Sequence, residues 1–197
     1  MKIIFLDRDG VINRYPGDKN YVTRVKDFAF LPGALTALKN LTKEKYRIFI
    51  ISNQAGVGKG TYSQAALDAI TDLMLKKVNK GGAEISGVFY CTHRADANCS
   101  CRKPKLGLIR KALKKIRFKS AKATYFVGDS IMDVQTGKNS GFKTILVLSG
   151  KEKLKNQNNW EAQPDFIAKD LLAATKIVLN ENSGYLCHSR CRPQKVR

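Results

Sequence analysis

Short apolar runs alternate with longer amphipathic stretches along the chain. Five runs are apolar at consecutive positions and rich in β-branched and aromatic residues, which is typical of strands buried on both faces. They span residues 3–6, 47–51, 87–90, 124–127 and 144–148, and a shorter run at 165–167 predicts an edge strand. The stretches between them place apolar residues at helical spacing. This alternation predicts an α/β fold in which a doubly wound parallel sheet is sandwiched by helices.

Start and stop residues mark several of the predicted helices. Ser63 caps a helix that ends at Gly81, and Asp170 caps the last helix. Pro104 suits a first helical position, and Gly141 closes a short helix over residues 131–139. Residues 1–181 are therefore predicted to form one domain. Residues 182–197 are a basic tail that we expect to be disordered.

Polar residues follow directly after several of the predicted strands. Asp7 and Asp9 follow the first, Ser52 the second and Asp129 the fourth. The carboxyl ends of parallel strands share one edge of the sheet, where open α/β folds bind their ligands. Two acids separated by one residue can act as nucleophile and as acid/base. An Asp-x-Asp-Gly sequence is also an ordinary turn that closes a strand, and both interpretations stay open at this point.

A glycine-rich stretch, residues 55–60, follows the second strand. The Ser52 hydroxyl and nearby backbone N–H groups can bind a phosphoryl oxygen, or the stretch can be a plain connection. It is not a P-loop, because Gly60 rather than serine or threonine follows Lys59.

Three of the five cysteines lie close together with a histidine. The spacing is Cys-x-His-x₅-Cys-x-Cys, formed by Cys91, His93, Cys99 and Cys101. Three thiolates and one imidazole complete a tetrahedral Zn²⁺ site with no open position, which predicts a structural zinc that staples a loop. The remaining cysteines, Cys187 and Cys191, form with His188 only a weak metal-binding pattern in the tail.

Two cations follow the zinc ligands, and two acids follow the fourth strand. Lys103 can neutralise charge on a transferring phosphoryl group, and Arg102 can bind an oxyanion of the substrate. Asp129, with Asp133 one helical turn later, offers the carboxylates that Mg²⁺ prefers alongside water and substrate phosphate.

The net charge of the chain is +20, from 36 Lys and Arg against 16 Asp and Glu. Such a charge favours anionic partners, but the lysines are spread along the whole chain, which favours a solvated lysine-rich surface instead. No stripe of interleaved aromatic and basic residues indicates nucleic-acid binding, which we do not expect. No apolar run approaches the ~20 residues of a membrane span, and the amino terminus is not a signal peptide. We expect a soluble, cytoplasmic monomer.

The motifs occur in the order found in the haloacid dehalogenase (HAD) phosphohydrolase superfamily, and the chain resembles that superfamily over residues 1 to about 180. The motifs are Asp7-x-Asp9-Gly10, Ser52-Asn53, Lys103 and Asp129-x₃-Asp133. The zinc ligands before Arg-Lys-Pro are similar to those of the heptose bisphosphate phosphatases and of the related histidinol-phosphate phosphatases. The resemblance implies a HAD-like (Rossmannoid) fold without a large cap domain.

The resemblance also implies roles for individual residues. Asp7 would be the nucleophile that forms an aspartyl-phosphate, and Asp9 the acid/base. Mg²⁺ would be bound by the carboxylates of Asp7 and Asp129 and by the backbone carbonyl of Asp9. Ser52 and Lys103 would bind the phosphoryl oxygens, with Asp133 in support. The implied substrate-binding residues are Asn13, Tyr15, Tyr21, Asn53, Gln54, Arg102 and Ser130.

The implied reaction is Mg²⁺-dependent removal of the 7-phosphate of D-glycero-D-manno-heptose 1,7-bisphosphate, in the synthesis of heptose precursors of lipopolysaccharide and surface glycans. Three features depart from the heptose pattern: a long loop over residues 14–20, a short zinc loop, and Ser130 where a lysine is common. Histidinol phosphate is the alternative substrate, and a nucleic-acid 3′-phosphatase is a weaker one. A basic zinc-containing binding module is the non-enzymatic alternative, but it would not need the paired acids.

Overall fold

Six parallel strands form one sheet in the computed structural model of the chain, which describes residues 1–116 and 123–182. The strand order is β3-β2-β1-β4-β5-β6, with the first strand in the middle of the sheet. The strands are β1 (Lys2–Leu6), β2 (Tyr46–Asn53), β3 (Gly87–Cys91), β4 (Ala123–Gly128), β5 (Lys143–Val147) and β6 (Phe166–Ala168). All six predicted strands are confirmed.

The described part of the chain has six α-helices, which connect or follow the strands. They are α1 (Ala34–Lys43), α2 (Ala55–Gly58), α3 (Gln64–Lys80), α4 (Gly107–Lys115), α5 (Ile131–Asn139) and α6 (Leu171–Asn182). Two predicted caps are confirmed: Ser63 Oγ accepts from the Ala66 N–H at 3.1 Å, and Asp170 Oδ1 accepts from the Ala173 N–H at 2.8 Å. Across the described residues no second domain is inserted between the strands, and no helix has the length and apolar character needed to cross a membrane.

The side chains of β1 alternate between two layers of core. Ile4 and Leu6 pack with α1, α3 and α6 on one face, while Ile3 and Phe5 pack with α4 on the other. All four side chains are fully buried, and each contributes roughly 1.5–3 kcal/mol of transfer free energy. Burial on both faces explains why β1 is apolar at consecutive positions rather than at alternate ones.

The register of the central strands brings their polar tips to one level. Leu6 pairs with Val127 on one side and with Ile50 on the other, and the Asp7 N–H donates to the Val127 carbonyl at 2.9 Å. Asp7 therefore lies between the ends of β2 and β4. The sheet thus delivers residues of three strands to one edge.

The structure differs from the sequence-based prediction in two places. Pro104 does not begin a helix, because α4 starts three residues later, at Gly107. The polar segment after β5 contains a 3-10 helix at Leu154–Asn159, which the sequence pattern did not indicate. Of the predicted tail, residues 182–197, only the backbone of residue 182 is described. Cys187, His188 and Cys191 lie outside the described residues.

Candidate active site

Asp7 lies in a tight turn at the end of β1. Its Oδ1 accepts from the Arg8 N–H at 2.7 Å, and the N–H groups of Ile12 and Asn13 both donate to the Arg8 carbonyl. The Asp7 side chain is 12% exposed, so one face stays open to a reactant. Burial raises its pKa to about 6; Lys103 opposes this, while Asp133 and Asp9 add to it.

Lys103 lies between two carboxylates beneath that turn. Its Nζ is 3.1 Å from Asp7 Oδ1 and 2.5 Å from Asp133 Oδ1, and its side chain is 3% exposed. Burial lowers the pKa of Lys103, but Asp133 and Asp7 outweigh that effect and raise it overall. The Lys103 ammonium is therefore a fixed positive charge beside Asp7.

Asp129 completes a cluster of acids. The carboxylates of Asp7, Asp129 and Asp133 each place an oxygen within 4.8 Å of the others. Burial raises the pKa of Asp129 well above its ordinary value, and repulsion from Asp7 and Asp133 adds to this. The buried carboxylates repel one another when all are ionised, and a bound dication would remove this repulsion. Carboxylate oxygens are also the ligands that Mg²⁺ prefers, so the residues fit Mg²⁺.

Glycines make room for the Asp129 carboxylate. A Cβ added at Gly10, where φ is +77°, would lie 2.1 Å from Asp129 Oδ2, and one at Gly150 would lie 2.0 Å from the same atom. The Lys151 N–H donates to that oxygen at 2.8 Å. The glycine of the Asp-x-Asp-Gly sequence is therefore required both by its backbone angle and by the closeness of the Asp129 carboxylate.

The Asp9 side chain is partly exposed, and buried donors contact its carboxylate on the protein side. Both of its oxygens accept from Arg8, with Asn13 Nδ2 at 2.8 Å from Oδ1 and Gln54 Nε2 at 2.8 Å from Oδ2. The Asp9 carboxylate is not a member of the acid cluster that fits a metal. This is consistent with the prediction that Asp9 would bind Mg²⁺ through its backbone carbonyl.

Ser52 and Asn53 end β2 on the other side of Asp7. Ser52 Oγ accepts from Gln54 Nε2 at 3.1 Å and is 2% exposed as a residue. Asn53 accepts from the Lys103 N–H at 3.1 Å and donates to the Lys103 carbonyl at 3.4 Å. Asn53 thus fixes the backbone that carries the lysine.

The four predicted zinc ligands converge. The sulfurs of Cys91, Cys99 and Cys101 are 3.4–3.6 Å apart, and His93 Nδ1 is 3.6 Å from Cys91 and 3.2 Å from Cys101. Ligands at about 2.3 Å from a tetrahedral zinc are about 3.8 Å apart, so the set fits Zn²⁺. Burial opposes ionisation of Cys99, but N–H donors from Cys101 and Arg102 lower its pKa to about 6.

A cavity of about 770 Å³ opens above the strand tips. One wall is the loop that contains Tyr15 and Tyr21, and another wall is the segment after β5. The lining includes the catalytic candidates Asp7, Asp9, Ser52, Lys103 and Asp129, and around them Tyr15, Tyr21, Asn53, Arg102, Ser130, Lys151, Glu152, Trp160 and Glu161. The space is large enough for a phosphorylated sugar.

Most of the predicted substrate-binding residues line this cavity. Tyr15 and Tyr21 belong to one wall, and the Tyr15 hydroxyl donates to Asp18 Oδ1 at 2.6 Å. Arg102 lines the base, with Nη1 buried and without a partner among the described residues. The Ser130 hydroxyl donates to Asp133 Oδ2 at 2.6 Å.

Asn13 and Gln54 do not line the cavity. Both are 0% exposed, and both donate to Asp9 from the protein side. The structure places them where they orient the acid/base candidate rather than where they contact substrate.

Sequence reasoning missed several residues of the site. Arg8 is fully buried against Asp9, and the Tyr62 hydroxyl donates to Gln54 Oε1 at 2.6 Å. The wall with Lys151, Glu152 and Trp160 was also missed. The single tryptophan of the chain, in an otherwise polar segment, was the signal that could have indicated it.

Comparisons with known proteins agree with this geometry. A family model described as HAD-hyrolase-like matches residues 100–174. The D-glycero-beta-D-manno-heptose-1,7-bisphosphate 7-phosphatase of Neisseria meningitidis serogroup A is 33% identical over 93% of this chain and 98% of the relative. The D-glycero-alpha-D-manno-heptose-1,7-bisphosphate 7-phosphatase of Campylobacter jejuni is 35% identical over 77% of this chain and 85% of the relative.

A solved structure is also similar. The D,D-heptose 1.7-bisphosphate phosphatase from B. bronchiseptica, complexed with magnesium and phosphate, superposes with a TM-score of 0.82 at 31% identity. The match covers 92% of this chain and 99% of that one. The chain therefore belongs to the HAD superfamily of phosphatases, in the family of the D-glycero-manno-heptose-1,7-bisphosphate 7-phosphatases.

Proposed function

We propose that the protein hydrolyses the 7-phosphate of D-glycero-D-manno-heptose 1,7-bisphosphate through an aspartyl-phosphate, as a step toward heptose precursors of surface glycans. The observation that carries the proposal is the pairing of Asp7 with Lys103 Nζ at 3.1 Å at the base of the cavity. The substrate is inferred from relatives that are named for this reaction and are similar to most of the chain. Both an alpha and a beta enzyme are among them, so the anomer is left to the assay.

In the first step, an Asp7 oxygen attacks phosphorus and the bond between phosphorus and the sugar oxygen breaks. A proton from Asp9 passes to the leaving oxygen, which departs as a hydroxyl. In the second step, water attacks the aspartyl-phosphate and gives its proton to Asp9. Inorganic phosphate leaves, and Asp7 is a free carboxylate again.

Other residues stabilise the charge that moves during these steps. The Lys103 ammonium lies beside Asp7, and the Ser52 hydroxyl lies at the end of the neighbouring strand β2; each would bind a phosphoryl oxygen. Mg²⁺ held by Asp7, Asp129 and the Asp9 backbone carbonyl would neutralise the phosphoryl oxygens. Zn²⁺ on Cys91, His93, Cys99 and Cys101 would hold the loop that carries Arg102 and Lys103.

One phosphate-release assay with Mg²⁺ tests the proposal. It compares both anomers of heptose 1,7-bisphosphate with histidinol phosphate and a 3′-phosphorylated oligonucleotide. One heptose anomer is expected to give the highest kcat/KM, and Asp7→Asn is expected to abolish release from every substrate. A higher kcat/KM for histidinol phosphate would refute the substrate, and an active Asp7→Asn variant would refute the nucleophile. The cytoplasmic location and the monomeric state of the protein stay predictions.

A further inference from the structure

Arg8 is a charged side chain with no access to solvent. It is 0% exposed, it does not line the cavity, and its guanidinium lies over the Tyr90 ring at 5.6 Å from the centroid. A guanidinium without water is destabilising unless a carboxylate and hydrogen bonds replace that water. Arg8 cannot contact substrate, so its burial requires a partner inside the protein.

That partner is Asp9, the acid/base candidate. Arg8 Nη2 is 3.0 Å from both oxygens of Asp9, and Nε is 3.3 Å from Oδ1. The planar fork of an arginine fixes the plane of the carboxylate that it contacts, which a lysine ammonium does not do. The Asp9 side chain is 18% exposed, toward the cavity.

Arg8 also decides how the Gln54 amide is oriented. Gln54 Oε1 accepts from Arg8 Nη2 at 3.1 Å and from the Tyr62 hydroxyl at 2.6 Å. A reversed amide would place its NH₂ group against the guanidinium, which has no acceptor. In the observed orientation, Gln54 Nε2 donates to Asp9 Oδ2 at 2.8 Å and to Ser52 Oγ at 3.1 Å.

Arg8 and Gln54 thus form a buried hydrogen-bond network that contacts Asp9. Asn13 adds a fourth donor atom, at 2.8 Å from Asp9 Oδ1, so both Asp9 oxygens are held from the protein side. Gln54 links Asp9 to Ser52, and both of these residues line the cavity. Small errors in the position of a proton donor reduce rates strongly.

We infer that Arg8 is a positioning residue. It holds Asp9 for proton transfer to the leaving sugar oxygen and from the attacking water, and through Gln54 it orients the Ser52 hydroxyl. This rests on the proposed function, since that function assigns proton transfer to Asp9. Arg8 touches no substrate and acts only through its two partners.

The test exploits the different needs of two leaving groups. A sugar oxygen must be protonated as it leaves, whereas 4-nitrophenolate leaves as a stable anion. Arg8→Met is expected to reduce kcat for heptose bisphosphate by about 100-fold or more. The amplitude and rate of the first-turnover burst of 4-nitrophenolate from 4-nitrophenyl phosphate are expected to stay within about threefold of wild type. Steady-state turnover after the burst is expected to be slow, because hydrolysis of the Asp7 aspartyl-phosphate still needs Asp9.

Two milder variants keep the test valid if Arg8→Met does not fold. Arg8→Lys keeps the charge but loses the fork, and Tyr62→Phe removes one donor to Gln54. Both are expected to reduce kcat on the sugar phosphate, by about tenfold for Arg8→Lys and less for Tyr62→Phe, with the burst preserved. Arg110→Met, at an exposed arginine of α4, is the control and is expected to match wild type.

Equal losses in burst and steady state across these variants, or wild-type kcat in Arg8→Lys and Arg8→Met, would overturn the inference. Failure of the substrate proposal would look different, because the wild type itself would not hydrolyse heptose bisphosphate. In that case the same comparison uses whichever alkyl phosphomonoester the wild type hydrolyses, and it still decides the role of Arg8.

Discussion

Lys103 is the residue on which the charge balance of the site depends. It is the cation in direct contact with both Asp7 and Asp133, and all three side chains are nearly buried. Asp129 lies within the same cluster, where burial and its acidic neighbours raise its pKa. Without bound metal, the lysine charge is what makes this concentration of carboxylates tolerable.

Replacing Lys103 with methionine is expected to destabilise the metal-free protein by about 3–5 kcal/mol, since buried carboxylates lose their counter-charge. Phosphate release is expected to fall by about 100-fold or more, because the phosphoryl oxygens lose a fixed cation. Mg²⁺ is expected to raise the Tm of this variant more than that of wild type, since a dication replaces the missing charge. Thermal unfolding with and without Mg²⁺ measures both effects.

Lys111→Met is the matched control, since Lys111 is an exposed lysine of α4. It is expected to leave the Tm, the Mg²⁺ response and the activity unchanged. Equal Mg²⁺ responses in wild type and Lys103→Met would contradict the assigned balance of charge.

Several residues of the site were predictable because they lie at the ends of strands. Asp7, Ser52 and Asp129 could be assigned because a parallel sheet gathers its strand ends at one edge. Arg8 could not, because an arginine between two acids looks like an exposed turn residue and nothing in the sequence indicates that its side chain folds back into the core. The orientation of Gln54 depends in turn on that burial, so it also required the structure.

At the scale of elements, the loop between β3 and α4 carries both the candidate zinc ligands and Lys103. Cys91 ends β3, and Cys101 is two residues before Lys103. The Asn53 side chain then fixes the Lys103 backbone against β2. The loop has few buried side chains of its own, so its conformation depends on the ligand set.

Cys99→Ala is expected to lower bound zinc below about half an equivalent per chain, because a tetrahedral structural site needs all four ligands. Activity is expected to fall at least about tenfold through displacement of Arg102 and Lys103. Ser100→Ala changes an exposed neighbour between two ligands and is expected to keep both zinc and activity. Metal analysis and phosphate release measure these effects, and full zinc content in Cys99→Ala would refute the ligand set.

Asp165 ties the edge strand to its neighbours. Its Oδ2 accepts from the Thr144 N–H at 2.7 Å and hydroxyl at 2.9 Å, and its Oδ1 from Lys138 Nζ at 2.5 Å. Burial acts to raise its pKa, but these donors outweigh burial and lower the pKa below its ordinary value. The stability that Asp165 contributes is therefore present above about pH 4 and is lost as pH falls through the lowered folded-state pKa.

Asp165→Asn is accordingly expected to reduce the free energy of unfolding by about 1 kcal/mol at pH 7, a value reduced for the partial exposure of the pair. The difference from wild type is expected to be smaller at pH 3, because below the ordinary aspartate pKa of about 3.9 the unfolded chain binds a proton that the folded carboxylate resists. Urea unfolding at both pH values measures it, with Asp72→Asn on the exposed face of α3 as control. A difference of equal size at pH 3 would contradict the charged role of Asp165.

Elements with strong local signals were predictable, and those fixed by tertiary contacts were not. The caps at Ser63 and Asp170 satisfy the backbone of their own helix, so the sequence near each helix is sufficient. The wall after β5 owes its place to distant residues. The Lys151 N–H donates to the Asp129 carboxylate, and the Glu152 N–H donates to the Asp129 backbone carbonyl at 3.0 Å. A polar segment of this kind looks like a solvated loop until those partners are known.

At the scale of the whole molecule, a strongly basic chain surrounds a cleft of mixed charge. The net charge is +20, whereas the cavity contains acids such as Asp129 and Glu161 as well as cations such as Arg102 and Lys151. The excess positive charge thus lies mainly outside the catalytic contacts. A field of this kind acts on the approach of a charged substrate rather than on the chemical step.

Ionic strength separates the two effects. Between about 10 mM and 150 mM salt the Debye length falls from about 30 Å to about 8 Å, so the attraction of distant lysines for a bisphosphate is screened. We expect kcat/KM for heptose bisphosphate to fall several-fold over this range, with kcat nearly unchanged. The less charged 4-nitrophenyl phosphate, assayed at the same Mg²⁺ concentration, is expected to show a weaker dependence, because steering scales with the charge of the substrate. Equal salt dependence for both substrates would instead indicate that the lysines form a solvated surface without influence on substrate capture.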